Sequence, residues 1–130
     1  MPRKRTSRFR HGIFLKRVYE MRCPNDGVRV LVDRIWPRGF RKEDAEIDVW
    51  LKDIAPSTEL RRWFQHDVAR WPEFDRRYRQ ELEANERSLA VLEDLSRRGP
   101  ITLVFAAADV AHNNAVVLLA YLKQRICAGR

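Results

Sequence analysis

Residues 101–126 read ITLVFAAADVAHNNAVVLLAYLKQRI, and the two halves of this stretch decide the fold. Ile101 to Ala106 is an apolar run in which only Thr102 is polar. A strand without polar alternation belongs inside a sheet, with both faces covered. After Ala107, Ala108 and Asp109, His112-Asn113-Asn114 marks the start of a helix over about residues 112–126. Ala115 to Leu122 is apolar almost all round, which places this helix in the core or in a dimer contact. A buried strand feeding a buried helix is the repeating step of an α/β layer.

Working back from there, Arg98-Gly99-Pro100 is a stop signal that closes a helical pattern carried by Leu89, Leu92 and Leu95. Another helix starts near Pro72 and turns Phe74, Tyr78 and Leu82 to the core. An earlier one starts at Pro56-Ser57, with Ser57 as N-cap, and ends near His66-Asp67. Residues 12–19, GIFLKRVY, and the alternating Val28, Val30 and Val32 read as strands on either side of a Pro24-Asn25-Asp26-Gly27 turn. Residues 40–55 are ambiguous: Ile47, Val49 and Leu51 alternate, while Trp50 and Ile54 break the pattern. The order predicts an α/β fold. Its small mixed sheet has a parallel core and an antiparallel edge, and helices cover it in Rossmann-like layering. A single domain over 12–130 is expected, preceded by a disordered basic arm over 1–11.

Composition bounds the function. The chain has 130 residues, 45% hydrophobic and 34% charged, enough for one core without metal or disulfide staples. No apolar run approaches the roughly 18 residues that span a bilayer, and the basic start has no apolar stretch behind it. Cys23 and Cys127 lie far apart and have no metal-ligand spacing, so they read as reduced thiols of a cytoplasmic protein. Neither a metal nor a cofactor is expected. The formal net charge of +8 suits a polyanionic partner. Residues 1–10 hold 5 basic residues and no acid, so the rest of the chain is nearly balanced. Salt-sensitive nucleic-acid binding would therefore run through that arm.

Three polar groups are candidates for chemistry. Asp33, Arg34 and Arg38 follow a buried strand, and ligands of open α/β sheets collect beyond the carboxyl ends of strands. Arg34 and Arg38 would clamp an anion, with Asp33 orienting one guanidinium; the alternative is an Asp–Arg pair that only pins the loop. Asp109, His112, Asn113 and Asn114 precede a helix whose free N–H groups favour an anion; the alternative is that Asp109 or Asn113 is a plain cap. His66 is the candidate proton-transfer group, or else a helix-terminal histidine on the last carbonyls. Walker A, G-x-G-x-x-G, H-E-x-x-H and G-x-S-x-G patterns are absent.

The string Val32-Asp33-Arg34-Ile35-Trp36-Pro37-Arg38-Gly39 resembles the YeaO-like family of small bacterial proteins. The resemblance continues through Trp50-Leu51-Lys52, Ala55-Pro56-Ser57, Leu60-Arg61, Trp63-Phe64 and His66-Asp67. It runs on through Trp71, Phe74, Tyr78 and Glu81-Leu82 to Asn113-Asn114-Ala115. It covers about residues 12 to 123 and leaves out the basic arm. The family is a domain of unknown function, so the resemblance implies a cytoplasmic bacterial α/β protein without supplying a substrate. The expected activity is binding of, or action on, a small phosphate- or nucleotide-like anion. The alternatives are a nucleic-acid binder using residues 1–10 and a non-catalytic homodimer.

Overall fold

The computed structural model describes residues 12–128. The expected arm over 1–11 lies outside them. Four strands form one sheet in the order β1-β4-β2-β3: β1 (Ile13–Arg17), β2 (Val28–Leu31), β3 (Val49–Trp50) and β4 (Ile101–Phe105). All three pairings are parallel. The α/β class and the parallel core are as expected. The antiparallel edge is not found among the described residues, because the ambiguous 40–55 segment supplies the two-residue β3 and pairs it parallel to β2. β4 is buried along its whole length between β1 and β2, as its unbroken apolar run requires.

Five helices complete the fold: α1 (Lys42–Ala45), α2 (Thr58–Phe64), α3 (Trp71–Glu83), α4 (Glu86–Arg98) and α5 (Asn114–Cys127). The four longer ones supply one face. There Phe74, Tyr78, Leu82, Leu89, Leu92, Leu118 and Leu122 pack on Val30, Ile101, Leu103 and Phe105. The apolar α5 is covered by this core, so its composition needs no second copy of the chain. The helical pattern across residues 72–98 breaks at Ala84-Asn85, where the Asn85 amide donates to the Asp53 carbonyl at 2.8 Å and ties the corner to the turn before α2.

The opposite face is thinner. Val18, Leu31, Ala45 and Val104 form a small apolar cluster there, with Trp36 and Phe40 against it. Beside it lies a buried ionic group. Asp26 accepts from Lys16 at 2.9 Å and from Arg29 at 2.9 Å. Arg29, 1% exposed, also donates to the carbonyls of Glu46 and Glu20. Thr102, the lone polar residue of β4, donates to the Asp26 carbonyl at 2.8 Å. Gly27 opens β2 at φ 64, and a Cβ there would lie 1.9 Å from the Pro100 carbonyl oxygen. That close approach sets β2 level with β4, with Val28 opposite Ile101.

Candidate functional site

β2 and β4 are neighbours, so the loops leaving their carboxyl ends meet. A cavity of about 350 Å³ opens at that junction. Asp33, Arg34 and Arg38 enter it from the loop after β2, Ala106 and Ala107 from the end of β4, and Asn113 and Asn114 from the start of α5. Arg61, Phe64 and His66 enter it from α2 and its end. All three polar groups proposed from the sequence therefore contribute to the cavity, the second only through Asn113 and Asn114. Asp109 and His112 do not line the cavity. They bond to each other instead, His112 Nδ1 to Asp109 Oδ2 at 3.0 Å, with the His112 ring edge-on to Trp71.

Asp33 forms no ion pair with either arginine among the described residues. Its Oδ2 accepts the Ala106 backbone N–H at 2.9 Å, so it joins the ends of β2 and β4 rather than orienting a guanidinium. Burial pushes its carboxyl above the ordinary range, and the Ala106 N–H, the Asn114 amide and His66 oppose that only in part. Arg34 turns the other way, donating to the Pro56 carbonyl at 3.2 Å and the Ala55 carbonyl at 3.2 Å. It is a strap on the cavity wall. The same wall is held from behind by Glu81, which accepts both the backbone N–H and the hydroxyl of Ser57, the N-cap of α2. Arg17 of β1 straps the other side, donating to the carbonyls of Ala106 and Ala107.

Asn113 is the N-cap of α5: its side-chain oxygen accepts from the Val116 N–H at 3.0 Å, and its amide donates to the Asp109 carbonyl. At 2% exposure, Asn113 fulfils the capping expectation. Asn114 donates to the Val32 carbonyl at 3.0 Å and holds α5 against the end of β2. His66 is exposed and reaches the cavity because α2 ends in two successive left-handed residues, Gln65 at φ 49 and His66 at φ 58. Such backbone is uncommon for residues other than glycine. Neighbouring Asp67 caps the next turn through the Ala69 N–H and faces Arg70, so it forms no dyad with His66.

Two guanidinium groups at the cavity, those of Arg38 and Arg61, have no acidic or carbonyl partner among the described residues. Arg61 was not among the sequence candidates. An arginine on a helix bristling with charge reads as a solvated face, and only the packing of α2 brings it to the same opening as Arg38. The cavity is thus bipolar, with a half-buried carboxylate in its lining and exposed cations without a partner among the described residues. The lining also has an apolar wall, with Phe64 and Phe74 stacked at 4.3 Å between centroids. The described residues hold no cluster of histidine, cysteine or carboxylate groups able to bind a metal. Cys23 and Cys127 are free and exposed. No described helix is long and apolar enough to cross a membrane.

A protein-family profile described as the inactive DUF488-N3 subclade matches residues 12–129. The chain belongs to this family. An uncharacterized protein of Mycobacterium tuberculosis is 49% identical over 109 residues, which is 84% of this chain and 92% of that protein. The uncharacterized protein YeaO of Escherichia coli is 42% identical over 112 residues, 86% of this chain and 97% of its own length. The YeaO-like resemblance read from the residues around Asp33 therefore holds over most of the chain. No solved structure matches it.

Proposed function

We propose that this protein binds a small anionic, phosphate-bearing molecule in the cavity at the carboxyl ends of β2 and β4, in the cytoplasm. The observation that carries this reading is the meeting of Arg38 and Arg61 at one opening without a partner for either guanidinium among the described residues. Arg76 and Arg77 share Glu73 and Arg79 bonds Asp75, while Arg62 and Arg87 are exposed without a carboxylate among the described residues; Arg38 and Arg61 differ from these in lying at one cavity. Unpaired cations at one opening suit an incoming phosphate, which they can hold with charge-assisted hydrogen bonds. The start of α5 adds N–H groups of the same polarity on the facing side. His66 stands at the rim as a further donor. The description of the family as inactive favours binding without turnover, which makes His66 a ligand contact rather than a proton carrier.

The test is a thermal-shift series with phosphate, sulfate, sugar phosphates and nucleotides on the unaltered chain and on the double variant Arg38→Ala/Arg61→Ala. A ligand that binds only the folded state raises its melting temperature by mass action. The expected result is a rise for at least one phosphate compound, weakened by salt and absent in the double variant. Equal behaviour of the two proteins across the whole series would remove the cavity as an anion site.

A further inference from the structure

A site built only for a bare anion has no use for Asp33. The carboxylate lines the cavity with its charge uncompensated by any cation bonded to it among the described residues. Its repulsion would weaken the binding of phosphate alone. An ionised carboxylate has roughly four acceptor positions. The Ala106 N–H and the neighbouring Asn114 amide account for two of them. The remaining capacity faces a cavity whose walls are Phe64, Phe74, Trp36 and Pro56. Burial orders these features. Phe64, Phe74 and Pro56 are buried, Asp33 and Trp36 are half-buried, and Arg38 and Arg61 are exposed. The volume, about 350 Å³, sits near the small end of ligand pockets.

Resting on the anion reading above, we propose that the ligand is a nucleoside monophosphate. Its phosphate sits on the exposed Arg38 and Arg61, its flat body lies along the aromatic wall, and a hydroxyl or amino group donates to the half-buried Asp33. The alternatives within phosphate chemistry each leave part of the cavity unused. Inorganic phosphate meets neither the aromatic wall nor Asp33, an aryl phosphate leaves Asp33 unpaired, and a pentose phosphate leaves the aromatic wall bare.

Titration calorimetry on the full chain separates these. The probes are inorganic phosphate, phenyl phosphate, a pentose phosphate, the four common nucleoside monophosphates and the matching nucleosides. A hydrogen bond to a charged group is worth roughly tenfold or more in affinity, so at least one nucleoside monophosphate should bind at least that much tighter than inorganic phosphate. Asp33→Asn should erase that advantage while leaving inorganic phosphate bound as well or better. Arg61→Ala should weaken both. If, on the unaltered protein, phenyl phosphate or inorganic phosphate equals the best nucleoside monophosphate, this ligand assignment is wrong and the anion reading stands. Should no phosphate compound bind, both fall. The ligand comparison on the unaltered chain decides the matter even if Asp33→Asn folds poorly.

Discussion

Asp26 and Asp33 flank the same strand, one before β2 and one after it, and both are drawn out of water. Burial pushes both carboxyls up. At Asp26 the bonds from Lys16, the Cys23 N–H and Arg29 outweigh burial and hold it below the ordinary carboxylate range. At Asp33 burial wins. The amino end of the strand is therefore electrostatically finished, with two cations on one acid. The carboxyl end is not: two arginines stand at the same cavity, and neither bonds the acid. A buried charge that the fold has neutralised belongs to the scaffold. One that the fold leaves exposed to a cavity, with cations waiting nearby, marks a place for something from outside.

The sharpest way to break this contrast is to unpair the finished end. Arg29→Ala leaves Asp26 buried with Lys16 alone and strips the Glu46 and Glu20 carbonyls of their donor. The expected cost is about 3–5 kcal/mol in denaturant unfolding. A loss of less than about 1 kcal/mol would mean that Lys16 suffices and the end is less closed than described. Next in size is Asn113→Ala, which removes the α5 cap and should cost about 1–2 kcal/mol, while Asn113→Asp retains most of the stability. That outcome would separate the capping role of Asn113 from any role in holding ligand.

Acid titration should distinguish the two carboxylates by sign. Asp26 and Asp48 both have lowered folded values, so the stability they contribute is present above about pH 4 and is lost as pH falls through those values. Asp26→Asn should flatten the acid limb of the unfolding profile; an unchanged limb would contradict the pairing. Asp33 has a raised folded value and favours folding only while protonated. Relative to Asp33→Asn, the parent should lose stability as pH rises from about pH 4 toward neutrality. The smallest expected effect follows. At neutral pH, Asp33→Asn should lie within about 1 kcal/mol of the parent, on the stable side, by thermal melting. A large destabilisation would make Asp33 part of the scaffold after all.

The fold was legible where one pattern dominated. The unbroken apolar run of β4, the Ser57 cap and the all-apolar α5 are local facts, and each appears where its pattern puts it. The site was legible in part for the same reason: Asp33, Arg38, Asn113 and Asn114 are near strand ends, and strand ends gather ligands in this class. Their partners were hidden. The sequence places Asp33 beside Arg34, yet the sheet places it beside Ala106, and only strand order reveals that. Arg61 looked like an exposed helix charge until α2 was docked. Arg29 interrupts a run of valines, and its burial depends on Lys16 and Asp26 arriving from other segments. The parallel pairing of β3 could not be seen in two residues.

The position of β4 in the sheet also sets a timetable. β1 and β2 are made early, but neither touches the other; each hydrogen-bonds to β4, which is made near the end. On the ribosome, the first two strands must wait with open edges and an uncovered apolar face until residues 101–105 emerge, and α5 can close the core only after that. A chain stalled or cut before β4 leaves β1 unpaired and β2 with only the two-residue β3 beside it, with the aggregation hazard that open edges carry.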